Sequence, residues 1–144
     1  MLLIKKCSLL KHCGMISEEE EMSGHTEIKW LPEPEEHDFP AAESYLGLLF
    51  DKQSIEKHLI NLKKCKMSQF KAKDIFRASG LSVLGVSNYH VEKDRKKILA
   101  GKPLSPLLLV RDERNAKVII ADGYHRLCAV YSDNEDELIP CKIA

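Results

Sequence analysis

The chain has 144 residues, of which 44% are hydrophobic and 31% charged, and its 22 basic side chains balance its 22 acidic ones. This length fits one domain of about 100 to 150 residues with a modest addition, and no apolar run approaches the roughly 20 residues that cross a bilayer, which argues against a membrane protein. Because the net charge is zero, no chain-wide field attracts nucleic acid, and any such contact would have to be local.

The N-terminal part is predicted to be a disordered segment followed by helices. Residues 1–29 combine a short apolar start with a four-glutamate run and show no sustained period, which is typical of disorder. Residues 30–85 form a predicted helical extension, in which Pro40 suits a first helical turn and Asp51 an N-cap. The apolar side chains whose spacing indicates two packed helices, or one helix with a kink, are Tyr45, Leu46, Leu49, Phe50, Ile55, Leu59 and Leu62.

Two more helices are predicted before the first strand. Helical spacing over 70–79 ends at Gly80, a typical C-terminal stop, and the pattern over 91–100 ends in the same way at Gly101. Lys73 on the first of these helices could present its charge to a ligand, although a solvated helix face is the better explanation.

Residues 86–144 are predicted to be an α/β (α+β) core with a small mixed sheet. Runs of Leu, Val and Ile at 106–111 and 117–121 flank turn residues and indicate a hairpin. Apolar residues then recur at i, i+3 and i+4, so a helix follows the second strand directly. The run 138–143 predicts a last strand, in which Pro140 lacks a ladder donor and indicates an edge position.

The most informative motif is Asp122-Gly123-Tyr124-His125-Arg126, where the strand passes through a glycine into the helix. The first N–H groups of a helix have no intrahelical partner, and the helix dipole adds about half a positive charge, so this junction favours an anion such as phosphate. Arg126 can hold two phosphate oxygens, and His125 can carry a proton near neutral pH. Asp122 can cap the helix, bind a metal ion beside the phosphates or accept a hydroxyl proton.

These residues resemble a known superfamily. Residues 86–144 are similar to ParB/sulfiredoxin-like proteins, whose members place a Gly-x-[His/Arg]-Arg signature at a strand-to-helix junction. The motif looks closest to the Asp-Gly-His-His-Arg of free serine kinases, with Tyr124 in place of one histidine. ParB partition proteins carry Gly-Glu-Arg-Arg there and bind CTP, and sulfiredoxins carry their catalytic cysteine where this chain has Tyr124. The resemblance implies a nucleotide, ATP or CTP, with Mg²⁺ as its companion ion.

The motif and the resemblance together predict a site for a small phosphate-containing ligand. The residues predicted to bind phosphate or nucleotide are Gly123, Tyr124, His125 and Arg126. Those predicted to act in catalysis are Asp122 and His125. Further candidates are His90, Glu92 and Lys73, the first two because serine-kinase-like relatives carry His-Glu in this region. The acidic stretch 33–38 could bind a metal, but its crowding in one loop favours solubilising charge, and no metal ligand is assigned.

Three functions follow as hypotheses. The first is a phosphotransferase or nucleotide hydrolase; the second is a non-catalytic, nucleotide-responsive module that recruits a protein partner through the helices of residues 40–80. The third is a ParB-like DNA-binding or nuclease protein, against which the zero net charge counts. The five cysteines are odd in number and lack CxxC spacing, which argues against a disulfide framework or zinc ribbon and favours a cytoplasmic location.

Overall fold

A computed structural model describes residues 26–144 of the chain. Within that range five α-helices and a four-stranded sheet follow one another, which confirms the predicted mixed α and β class. None of these helices is long and apolar enough to cross a membrane. In chain order the elements are α1 (Asp38–Leu46), α2 (Lys52–Lys64), β1 (Met67–Lys71), α3 (Ala72–Ser79), α4 (Tyr89–Leu99), β2 (Leu107–Asp112), a 3₁₀ turn (Glu113–Asn115), β3 (Lys117–Asp122), α5 (Tyr124–Asp133) and β4 (Leu138–Ile143).

The predicted disorder of residues 1–29 falls mostly outside the described part of the chain. Its last residues, however, are packed: Ile28 is buried, and the Lys29 carbonyl accepts a hydrogen bond of 2.9 Å from the Leu104 N–H. Trp30 then forms a parallel bridge with Leu104. The backbone approaching α1 is therefore attached to the segment that leads into β2.

The sheet has the strand order β1-β4-β2-β3, in which β2 and β4 are parallel and the other pairs antiparallel. β4 has the predicted bounds, but it lies inside the sheet, so the edge position inferred from Pro140 is wrong. Pairing between β2 and β4 begins one residue later, at Leu107 and Cys141. The missing N–H of Pro140 therefore lies just outside that ladder, which explains why proline is tolerated here.

The helix predicted over 70–79 begins later than expected. Met67–Lys71 form β1 and pair with β4, and the helix starts at Ala72. The turn between them is fixed because the Ala72 and Lys73 N–H groups donate to the carbonyls of Glu137 and Glu135, each at 2.9 Å. Pairing with a distant strand overrides the local helical period, so the predicted helical extension also contributes a strand to the sheet.

Helices cover both faces of the sheet. Along β2, Leu107 and Leu109 pack into a core shared with α3, α4 and α5, whereas Leu108 and Val110 pack into a second core with α1 and α2. This alternation is the period of two expected of a strand that is buried on both sides. β2 therefore anchors both layers, and the junction from β3 into α5 lies at its first residues, where Leu108 pairs with Asp122.

Candidate functional site

The start of α5 forms as the sequence predicts. Gly123 separates β3 from α5 with φ +105°, and the first helical hydrogen bond runs from the Leu127 N–H to the Gly123 carbonyl at 2.9 Å. No acceptor within residues 26–144 takes a hydrogen bond from the N–H groups of Tyr124, His125 or Arg126. These donors, together with the helix dipole, favour an anion at the tip of α5.

Only glycine fits at position 123. A Cβ there would lie 2.7 Å from Leu107 Cγ and 3.0 Å from Arg126 Nη2, in addition to the strain of the positive φ. Close packing of the junction against β2 therefore dictates the glycine. The same packing leaves the helix start without a side-chain cap.

A small polar cleft of about 190 Å³ lies between α4 and the start of α5. The α5 junction contributes all five motif residues, Asp122 to Arg126. From α4 come His90, Lys93, Asp94 and Lys97. The cleft thus combines open backbone donors with two lysines, two imidazoles and two carboxylates.

Arg126 is anchored on one side of its guanidinium. Its Nη2 donates to Asp122 Oδ2 at 2.9 Å and to the Pro106 carbonyl at 3.3 Å, and it lies 3.7 Å from Asp38 Oδ2. The side chain is only 16% exposed, and its buried Nε has no hydrogen-bond partner within residues 26–144. The predicted phosphate-binding fork is thus partly engaged by protein carboxylates and largely buried.

Asp38 is a site residue that the sequence interpretation missed. It is 2% exposed, accepts a hydrogen bond from the Ser105 hydroxyl and lies beside Arg126. The interpretation of stretch 33–38 as solubilising charge is therefore wrong for this residue, although His37 and Glu35 remain exposed and pair at 2.9 Å. The position of Asp38 at a helix start was predictable from Pro40. No local pattern, however, reveals what α1 packs against.

Burial shifts the titration of three groups in the cleft. It lowers the pKa of His125, and the neighbouring His90, whose ring centroid is 4.9 Å away, acts in the same direction. It raises the pKa of Asp122 against the opposing effect of Arg126. It also raises the pKa of Asp94, which the surrounding cations oppose. His125 is therefore mostly neutral at pH 7 and able to accept a proton.

The three further candidates have different positions. His90 lies on α4 and lines the cleft. Glu92 does not: it lines a neighbouring groove, with Oε1 3.8 Å from Arg95 Nη1, and Asp94 is the α4 carboxylate that reaches the cleft. Lys73 pairs with Asp136 at 2.6 Å, beyond the C-terminal end of α5, so the structure does not bring it to the cleft.

Tyr124 links the site to the loop between α3 and α4. Its hydroxyl donates to the Ser82 carbonyl, and burial raises the pKa of its phenol. In the same loop the Leu84 N–H donates to Cys128 Sγ at 3.4 Å. This loop leads into α4, so Tyr124 helps to fix the wall of the cleft.

Comparisons with protein-family models, curated proteins and solved structures found no match to this chain. The similarity to ParB/sulfiredoxin-like proteins thus stays a prediction from the motif. The arrangement itself suits anion binding, because open amides and cations converge at the tip of α5. The adjacent neutral imidazole and carboxylates could also move a proton or bind a divalent cation.

Proposed function

We propose that this chain is a ParB/sulfiredoxin-like protein that binds the phosphate end of a small ligand, a nucleotide such as ATP or CTP, at the tip of α5. The observation that carries the proposal is the convergence of three uncapped amides with Lys93 and Lys97 on one cleft. Helix starts of this kind bind phosphate in many folds. The lysines add full charges to the partial charge of the helix dipole.

The size of the cleft indicates that it would enclose only the phosphate part of a ligand. Its volume of about 190 Å³ is below the roughly 300 to 1,000 Å³ of sites that enclose drug-sized ligands. The phosphates of a nucleotide fit this space, and its ribose and base would lie along the neighbouring surface.

The residues around the cleft also suit phosphoryl transfer. Lys93 and Lys97 would neutralise charge on the transferred group, the neutral His125 ring would polarise it through a hydrogen bond, and Asp122 or Asp94 would accept a proton from the acceptor. Asp38 and Ser105 would hold Arg126 in place beside them. Carboxylate oxygens are the ligands that Mg²⁺ prefers, so Asp94 and the second oxygen of Asp122 would hold this ion, which would screen the phosphate charge when bound. These roles favour a phosphotransferase or nucleotide hydrolase.

Binding without turnover is the second candidate. Oδ2 of Asp122, the predicted base, already accepts a hydrogen bond of 2.9 Å from Arg126 Nη2, so this oxygen is not free to take a proton from a substrate hydroxyl. In that case the protein would be a nucleotide-responsive module that recruits a partner. Product formation separates the two candidates.

A binding and turnover experiment tests the proposal. Thermal stabilisation by ATP, CTP and pyrophosphate, each with and without Mg²⁺, is followed by calorimetry and a phosphate-release assay. Lys97→Gln is expected to weaken pyrophosphate about tenfold, the usual scale of a charge-assisted hydrogen bond. Lys96→Gln is the matched control, because Lys96 lies on the same helix but does not line the cleft. Equal affinities of the two variants, or no stabilisation by any phosphate compound, would refute the proposal.

A further inference from the structure

A second, larger cavity adjoins the phosphate cleft. This groove along α4 has a volume of about 410 Å³ and shares Lys93 and Lys97 with the cleft. Lys96 and Lys102 line the groove but not the cleft. The groove therefore continues the cleft toward the C-terminal end of α4 and beyond it.

The groove is strongly basic. It is lined by four lysines and a single carboxylate, that of Glu92, which lies near Arg95. Within residues 26–144 the lysines that form ion pairs are Lys71, Lys73 and Lys142, so none of the four groove lysines has a carboxylate oxygen of that range within 4.0 Å. A chain with zero net charge thus concentrates local positive charge at this surface.

An aromatic platform stands at one end of the groove. Tyr89 lines it and is 74% exposed, an unusually open position for a large aromatic side chain. Its ring packs edge-on against His90 with centroids 5.3 Å apart, which limits its freedom without covering its exposed surface. An exposed ring beside unpaired lysines is the combination that binds single-stranded nucleic acid, whose bases stack while its phosphates meet the cations.

We propose that the α4 groove binds a short single strand of nucleic acid, with phosphodiesters along the lysines and a base on Tyr89. α4 has 11 residues and spans about 16 Å. Tyr89 is its first residue, Lys93, Lys96 and Lys97 lie between its middle and its last turn, and Lys102 lies past its end. The phosphates of one nucleotide are joined through single oxygens and would gather at one end, whereas successive phosphodiesters are spread along a strand. This inference goes beyond the phosphate cleft and does not require it to be occupied.

The test measures how tightly the whole chain binds a fluorescein-labelled oligothymidylate. A length of about 12 nucleotides lies within the usual range that one single-strand binding domain covers. The double variant K96Q/K102Q removes charges that belong only to the groove. It is expected to bind the oligonucleotide about tenfold more weakly, with a salt slope reduced by about 1.4, two lysines at about 0.7 each. Tyr89→Ala is expected to lose about tenfold, and Tyr89→Phe is expected to retain affinity.

The matched control is K64Q/K66Q, which removes two exposed lysines outside the groove. Equal oligonucleotide affinities for the two double variants would overturn the inference, and so would equally tight binding of polyglutamate, since a generic polyanion surface needs no strand. Pyrophosphate affinity separates the two proposals, because K96Q/K102Q should leave it unchanged. Loss of oligonucleotide binding alone would therefore leave the phosphate cleft intact.

Discussion

Two helices begin beside the same cleft, and they complete their first turns in opposite ways. At α4, Asn88 Oδ1 accepts hydrogen bonds from the His90 and Val91 N–H groups at 3.0 and 3.3 Å. At α5, Gly123 has no side chain to offer, and the first amides stay open within the described part of the chain. A capped helix start serves the fold, whereas an uncapped start in a cationic cleft has donors available for a ligand.

The contacts that hold the two helix starts in place also differ, because one set is local in the chain and the other is long-range. Asn88 makes a local cap, whose partners are two and three residues away. The α5 start is instead held by Arg126, Asp122 and Asp38, which come from α5, β3 and α1. Long-range contacts thus fix the open tip in place without using its amides. The following predictions test this difference.

The largest expected effect is on the fold, from Gly123→Ala. The added Cβ meets Leu107 at 2.7 Å and must adopt φ +105°, so we expect the free energy of unfolding to fall by about 2 to 4 kcal/mol. Urea denaturation measures the change. Gly85→Ala is the matched control, since its Cβ would meet nothing within 4 Å. Equal free energies of unfolding for the two variants would show that close packing is not the reason for glycine at position 123.

The second prediction concerns the buried support of Arg126. Asp38→Ala leaves the Ser105 hydroxyl without its acceptor and removes a buried carboxylate 3.7 Å from Arg126 Nη2, and we expect a loss of about 2 to 3 kcal/mol in the free energy of unfolding. Asp38→Asn should lose less, because the amide oxygen still accepts from Ser105. Asp136→Ala, at an exposed ion pair, is the control, and an equal loss there would show that Asp38 supports nothing.

A smaller effect is expected at the capped helix. Asn88→Ala removes two hydrogen bonds from the α4 start and should lower the free energy of unfolding by about 1 kcal/mol. Pyrophosphate affinity should stay within a factor of two, measured by calorimetry well below the unfolding transition, because this cap lies outside the proposed phosphate contacts. A parallel loss of affinity would mean that the α4 start, too, contributes to anion binding.

The smallest effect is a pH dependence through His125. Its lowered pKa means that the fold favours the neutral ring; its contribution to stability is present above the unfolded value of about 6.5 and is lost as pH falls through the lowered pKa. Anion binding favours the charged ring, so sulfate affinity should rise about threefold as pH falls over the same interval. Sulfate is chosen because its own charge is constant there. His125→Gln should flatten the profile more than His90→Gln, and identical profiles would contradict the assignment.

Local chemistry explains which parts of the structure the sequence predicts. Asp51 caps α2 through the Ser54 N–H at 2.8 Å, and Gly80 ends α3 with φ +68°, both as expected. The junction at Gly123 also forms as expected, because a turn residue between a strand and a helical repeat is a local signal. Features encoded within one or two turns of chain are therefore predictable.

Features that depend on contacts between distant parts of the chain could not be predicted from the sequence. The strand at Met67–Lys71 exists because it pairs with β4, more than 60 residues later, and the interior place of Pro140 follows from the register of β2. Asp38 is buried because α1 packs on the face of β2 and β3, where the Asp38 side chain meets Ser105. The site residues that the sequence missed, Asp38 and Asp94 among them, are brought in by tertiary packing rather than by a motif.

The measurement that tests phosphate binding most directly is a titration of the isotope-labelled protein with pyrophosphate, followed through its amide NMR signals. The Tyr124, His125 and Arg126 amides should shift strongly and saturate together, because a bound phosphate would accept their hydrogen bonds. The Ser54 amide, already bonded to Asp51, should stay in place and serves as the internal control. Saturating binding that leaves the three α5 amides unmoved would contradict an anion site at this helix tip.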